Sequence, residues 1–153
     1  MANHTYDEGD WFAVPVRTDG FALGIIARAN PKGVLLGYLF GPIHHDRPIL
    51  ADSTGLLPDQ AVLVGRFGHL GIRGGSWPLL GQAPGWDRSA WPTPTFVRYE
   101  ELTGRTFHVR YDDADPARMI GETLVQPGLA QQGPMDGLMG AGFVELRLTS
   151  LLA

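Results

Sequence analysis

Hydrophobic residues near the start of the chain form three runs that have the length of β-strands. These runs are rich in branched and aromatic side chains, and they cover residues 11–17, 21–28 and 34–40. Asp19-Gly20 separates the first two runs and suits the positive φ of a tight hairpin. Asn30-Pro31-Lys32-Gly33 separates the next two, with Pro and Gly where a type I turn favours them. The pattern predicts a three-stranded antiparallel meander, whose third strand is apolar on both faces.

Later segments predict more short elements. Strands are expected at residues 61–67, 96–99, 106–111 and 144–148. Val144, Leu148 and Leu151 also fit helical spacing, so the last segment stays open between a strand, which we expect, and a helix. Short helices are expected at 100–103, ended by Gly, and at 115–124, where Asp115-Pro116 is a good helix start.

Two long stretches, residues 41–60 and 76–94, read as loops. The second contains Trp77, Trp86 and Trp91, which is too hydrophobic for a flexible linker. We therefore expect an ordered loop that lies over the sheet.

Composition supports a fold of short elements. The chain has 153 residues, with 21 Gly and 12 Pro, and few stretches are long enough for an uninterrupted helix. We predict a single α+β domain over residues 1–153, mostly β, with residues 1–8 as a flexible N-terminus. Its core is a bent antiparallel sheet or a small SH3-like barrel, accompanied by one or two short helices.

Charge and cysteine content exclude several classes of function. The net charge of −4 disfavours non-specific binding to nucleic acid. The absence of Cys excludes disulfides, thiolate nucleophiles and zinc–cysteine sites. No secretion signal and no apolar run of membrane-span length are visible, so the expected location is the cytoplasm.

The candidates for catalysis are weak. Gly65, Gly68, Gly71 and Gly74 lack the Gly-Lys-Ser/Thr ending of a phosphate-binding loop. A small hydrolase would need His44, His45 or His69 to meet Asp46 in one pocket, as an acid–base pair or as metal ligands. No catalytic residue, metal site or cofactor is therefore predicted, and the hydrolase stays an alternative.

The candidates for recognition are aromatic and acidic. Trp86 and Trp91 offer large contact areas of the kind that dominates protein interfaces, although Trp also caps small cores. Asp112, Asp113 and Asp115 form the densest acidic cluster and suit a basic partner, although such residues are also common in turns. A further alternative is an RNA-binding β-barrel that stacks bases on the two Trp side chains.

Several segments resemble a known family over most of the chain. They are residues 9–16 (GDWFAVPV), 20–24 (GFALG), 36–42 (LGYLFGP), 64–71 (VGRFGHLG), 77–81 (WPLLG), 137–142 (GLMGAG) and 144–148 (VELRL). They resemble the bacterial immunity protein 26 family of polymorphic toxin systems. The resemblance implies a mostly β protein that is not an enzyme and that binds and neutralises a cognate toxin domain. It names no toxin and supplies no catalytic or toxin-contacting residues.

Overall fold

The computed structural model describes residues 6–126 and 132–153, which contain nine strands and two α-helices. The strands are β1 (Asp10–Pro15), β2 (Phe21–Ala29), β3 (Val34–His44), β4 (Leu63–Gly68), β5 (Leu79–Gln82), β6 (Phe96–Glu100), β7 (Arg105–Asp112), β8 (Asp115–Leu124) and β9 (Leu138–Met139). The helices are α1 (Leu70–Arg73) and α2 (Ala141–Leu151). Short 3-10 helices lie at Leu50–Ser53, Pro58–Gln60 and Arg88–Ala90.

The strands form two open sheets. The first has the order β5-β1-β2-β3-β4-β9, and its neighbours are antiparallel except for β9, which runs parallel to β4. The second is the antiparallel sheet β6-β7-β8. The predicted α+β class, mostly β with bent sheets, is confirmed, whereas a closed SH3-like barrel is not formed by the described residues.

The predicted meander is confirmed as β1, β2 and β3. Asp19 and Gly20 adopt φ of +108° and +104°, the positive values expected for the first turn. In the second turn, the Asn30 side chain accepts hydrogen bonds from the backbone N–H groups of Lys32 and Val34 at 3.0 and 2.9 Å. Local turn chemistry thus fixes the centre of the larger sheet.

The larger sheet is buried on both faces. One face packs against α2 and the segment around α1, in a core that includes Phe12, Phe67, Trp77, Val144 and Leu148. The opposite face packs against the smaller sheet and against residues 83–94, which carry Trp86 and Trp91 and which we call the tryptophan-rich loop. This core includes Trp11, Phe40, Trp91, Phe96 and Val109. The third strand, which the sequence makes apolar on both faces, is therefore covered on both sides.

The predicted helix at 115–124 is wrong, because this segment is strand β8. The Asp115 side chain accepts the Ala117 N–H at 2.9 Å, as in a helix start, but it also accepts Asn30 Nδ2 at 2.9 Å and so turns toward β2. β8 then pairs with β7, and Pro116 lies at the beginning of an edge strand, where the lack of an N–H is tolerated. Tertiary pairing overrides the capping signal.

The predicted strand at 144–148 is also wrong, because these residues belong to α2. Val144 and Leu148 are buried four residues apart, whereas Leu146 between them is 54% exposed. Burial therefore follows the helical period rather than the alternation of a strand.

The predicted helical turn at 100–103 is a tight turn between β6 and β7, in which the Gly104 N–H donates to the Glu100 carbonyl at 2.8 Å. Gly104 adopts φ of +69°, which explains the glycine at this position. Of the predicted flexible N-terminus, residues 1–5 lie outside the described residues. Tyr6 is buried in the core, and Glu8 forms a salt bridge with Arg88.

Candidate functional site: a tryptophan-lined cleft

A concave surface of about 450 Å³ lies where the tryptophan-rich loop crosses the larger sheet. Its floor includes Trp11 of β1 and Ile25 of β2. Two loops form its walls. One follows the 3-10 helix Leu50–Ser53, and the other connects β5 to the 3-10 helix Arg88–Ala90. The lining residues are Gly9, Trp11, Ile25, Ser53, Thr54, Gly55, Leu56, Ala83, Pro84, Gly85, Trp86, Asp87, Ala90 and Trp91. We call this surface the tryptophan cleft.

Trp86 is held in the cleft by a close approach to the backbone. Its ring packs on Gly9, where an added Cβ would lie 2.7 Å from the ring carbon Cδ2. Gly9 also adopts φ of +94°, so both its conformation and its surroundings require glycine. Gln82 Nε2, which also lies beside Gly9, donates to the Glu8 carbonyl at 3.0 Å. The indole of Trp86 is therefore a partly exposed but well-supported side chain.

Trp91 lies deeper than Trp86 and is only 8% exposed. Its ring meets those of Trp11, Tyr38 and Phe40 edge-on, with centroids 5.3 to 6.0 Å apart. Such edge-to-face contacts stabilise aromatic clusters. The structure thus brings the two predicted Trp residues into one cleft, with Trp91 mainly part of the core and Trp86 more accessible.

The predicted acidic cluster forms the turn between β7 and β8, and Asp113 joins this turn to the tryptophan-rich loop. Its carboxylate accepts hydrogen bonds from Arg28 Nε at 2.9 Å, Arg88 Nη1 at 2.7 Å and Thr93 Oγ1 at 2.8 Å. Burial alone raises the pKa of Asp113, but these three hydrogen bonds outweigh it and lower the pKa from 3.8 to about 2. Arg88 also donates to Glu8 at 2.8 Å, which is the main cause of its raised pKa.

The other two carboxylates of the cluster also have partners within the chain. Asp112 accepts the Ala114 N–H at 2.9 Å and lies 3.3 Å from Arg118 Nη1. The hydrogen bond from Asn30 is the main cause of the lowered pKa of Asp115. The carboxylates at this turn are therefore balanced by nearby cations, namely Arg28, Lys32, Arg88 and Arg118.

The residues considered for a hydrolase lie in two separate places. His44 ends β3 and is followed directly by His45 and Asp46, whereas His69 precedes α1 and shares a 2.8 Å hydrogen bond with the Tyr6 hydroxyl. Within residues 6–126 and 132–153, no group of three or more His, Asp or Glu is placed to hold a metal ion. The geometry gives the hydrolase alternative no support.

A second concave surface, also of about 450 Å³, lies between β4, β9 and α2. It is more apolar than the tryptophan cleft, and Met135, Leu138 and Phe143 on its wall are 54 to 74% exposed. We call it the apolar groove. Neither this groove nor the contribution of Asp87 to the tryptophan cleft was predicted, because each depends on residues that are distant in sequence.

Comparison with known proteins places these features in a family. The family model described as immunity protein 26 matches residues 7–108. The chain belongs to the immunity protein 26 family. The match contains every residue that lines the tryptophan cleft, whereas the acidic turn and α2 lie beyond its end.

The other two comparisons are uninformative: no curated protein and no solved structure matches the chain. In the part of this immunity protein 26 family member that the structure describes, no helix is long and apolar enough to cross a membrane.

Proposed function

We propose that the protein binds a single cognate toxin domain of a bacterial polymorphic toxin system and neutralises it stoichiometrically, without catalysis. Membership in the immunity protein 26 family is the observation that carries this proposal. Such a protein needs only to cover the active site of the toxin or to hold the toxin in an inactive conformation. The site of action is the cytoplasm, where a toxin that enters or is made in the cell is intercepted.

The tryptophan cleft is the proposed centre of the toxin interface. An interface of about 800 Å² per partner, with a few buried aromatic anchors, is sufficient for tight binding. Trp86 suits the role of an anchor, since it is partly exposed and already supported by Gly9, so little side-chain entropy is lost on binding. Trp91 supports the floor of the same cleft.

Asp112, Asp113 and Asp115 are proposed to contact the toxin beside the cleft and to guide a basic toxin surface. Asp113 and Arg88 connect the acidic turn to the loop that carries Trp86, so one partner can reach both. Asp112 is the better residue for testing this role, because its ion pair with Arg118 is exposed and Asp113 holds the fold together. For Asp112→Lys, we expect slower association with the toxin and weaker dependence on salt. An unchanged salt dependence would exclude this patch.

Co-expression with toxin domains encoded next to this protein tests the proposal. We expect one of them to be tolerated only when the protein is present, and the two to co-purify as a complex. Trp86→Ala should weaken rescue and complex formation at least tenfold, as for an interface anchor. Phe143→Ala is the matched control, because it removes an exposed aromatic side chain from the apolar groove instead. Rescue without a complex, or no rescue by any neighbour, would contradict the proposal.

A further inference from the structure

We infer that the tryptophan cleft binds a basic side chain, an arginine or a lysine, which the toxin inserts between Trp86 and Asp87. This inference rests on the proposed function and specifies the chemistry of its contact. Of the residues that line the cleft, Asp87 alone carries a charge, and three others are Trp. Indole rings attract cations through their π faces, and a carboxylate beside them adds a direct ion pair.

Unlike the carboxylates of Glu8, Asp112 and Asp113, the carboxylate of Asp87 has no cationic partner among the described residues. Glu8 and Asp113 are both paired with Arg88, and Asp112 is paired with Arg118. Within the part of the chain that the structure describes, Asp87 accepts the backbone N–H and the hydroxyl of Ser89, at 3.0 and 2.7 Å, and both bonds are on Oδ1. The other oxygen, Oδ2, therefore remains available for a cation from outside the chain.

The position of Asp87 is fixed by its place in the fold. It caps the 3-10 helix Arg88–Ala90, and the following Arg88 is held by Glu8 and Asp113. Trp86, the preceding residue, packs on Gly9. The carboxylate and the indole are thus supported on both sides, which lowers the entropic cost of binding a ligand between them.

The size and neutrality of the remaining lining also fit a single side chain. The cleft volume of about 450 Å³ lies within the ordinary range of sites for small ligands. Its other walls are Gly, Ala, Pro, Ser, Thr, Leu and Ile residues, which add no competing charge. The apolar groove contains both Asp136 and Arg147, but the Asp136 carboxylate is already paired with Arg66 at 3.4 Å and accepts the Tyr111 hydroxyl at 2.7 Å, so the groove offers a cation no unpaired carboxylate.

The test uses the full-length protein and three small probes: the N-acetyl methylamides of arginine, of lysine and of citrulline, the neutral analogue of arginine. Indole N–H resonances of the four Trp residues are followed by NMR during titration. We expect a saturable shift of the Trp86 resonance with arginine or lysine, and binding of citrulline that is at least tenfold weaker. Equal binding of citrulline would show an uncharged or apolar ligand preference and would overturn the inference. So would the absence of a saturable shift up to about 50 mM, the weak end of measurable affinity.

Asp87→Asn and Asp59→Asn are a matched pair of variants for the same titration, because Asp59 is an exposed carboxylate in the 3-10 helix Pro58–Gln60 and does not line the cleft. Asn is also a good helix cap, so Asp87→Asn keeps the fold while it removes the charge. We expect Asp87→Asn to weaken binding of the basic probe at least tenfold, whereas Asp59→Asn leaves binding unchanged. An unchanged affinity in Asp87→Asn would refute the role of this carboxylate. If a toxin complex forms but the probes fail, only this inference is wrong. If basic probes bind but no neighbouring toxin is neutralised, the proposed function alone fails.

Discussion

Replacing Asp113 with Ala is expected to destabilise the fold by about 2 kcal/mol. The lowered pKa of Asp113, from 3.8 to about 2, corresponds at most to about 2.4 kcal/mol at neutral pH. Because the side chain is 58% exposed, solvent screening reduces this contribution to about 1 kcal/mol. The substitution also leaves Nε of Arg28, which is 3% exposed, without its acceptor, at a cost of about 1 kcal/mol.

Thermal unfolding followed by circular dichroism measures this loss. For a chain of this length, about 2 kcal/mol lowers the Tm by about 4–8 °C. Asp112→Ala is the matched control and should cost about 0.5 kcal/mol, since the Arg118 side chain of its ion pair is 71% exposed and no buried arginine loses its acceptor. A Tm within 1 °C of the wild type for Asp113→Ala, taken as about the resolution of the assay, would refute the reasoning.

The pH dependence provides a second check on the same residue. The folded pKa of Asp113 lies below its unfolded value, so its contribution is complete above about pH 5 and is lost as the pH falls toward 2. About half of it should remain at pH 3. The stability difference between the wild type and Asp113→Ala should therefore shrink between pH 5 and pH 3. A difference that stays constant over this range would contradict an electrostatic origin.

Three further predictions concern other contacts. Gly9→Ala should lower the free energy of unfolding by about 1–2 kcal/mol and alter the fluorescence of Trp86, because the new Cβ would contact the Trp86 ring and because Ala is strained at the positive φ of this position. Unchanged unfolding and emission would argue against this packing. Burial, with a hydrogen bond to a carboxylate, raises the pKa of Tyr111 to about 12, so its phenol should ionise after exposed Tyr residues in an absorbance titration; a normal midpoint would contradict this. Glu145→Leu removes the acceptor 2.9 Å from the indole N–H of Trp77 and should cost about 1–3 kcal/mol in urea unfolding, whereas Glu145→Gln keeps an acceptor and most of the stability; equal losses in both variants would exclude this hydrogen bond as the cause.

The part of the fold that could be predicted is the part specified locally. The meander depends on Asp19-Gly20 and on the Asn30 turn, whose chemistry is complete within a few residues. β8 and α2 could not be assigned in the same way. Asp115-Pro116 fits both a helix start and the beginning of an edge strand, and only the pairing with β7 decides between them. In α2, Val144 and Leu148 are four residues apart, which fits both the spacing of a helix and the alternation of a strand. Only their packing on the larger sheet decides in favour of the helix.

The residue types of the candidate site could be predicted from the sequence, but their arrangement in space could not. Trp86 and Trp91 can be selected because Trp offers a large contact area, yet the deeper burial of Trp91 depends on contacts with Tyr38 and Trp11. The pairing of Asp113 with Arg28 joins residues 85 positions apart. No local pattern indicates such a contact, and none indicates that Asp87 is the charged residue that lines the tryptophan cleft.

Titration of toxin activity with purified protein tests the central claim most directly. The cognate toxin domain is held at a concentration well above the Kd of the complex, and its activity is measured as the protein is added in steps. Stoichiometric neutralisation predicts a linear fall that ends at one equivalent, with both chains recovered unmodified in a 1:1 complex. Complete loss of activity at a small fraction of one equivalent would show that the protein acts catalytically and would contradict the account.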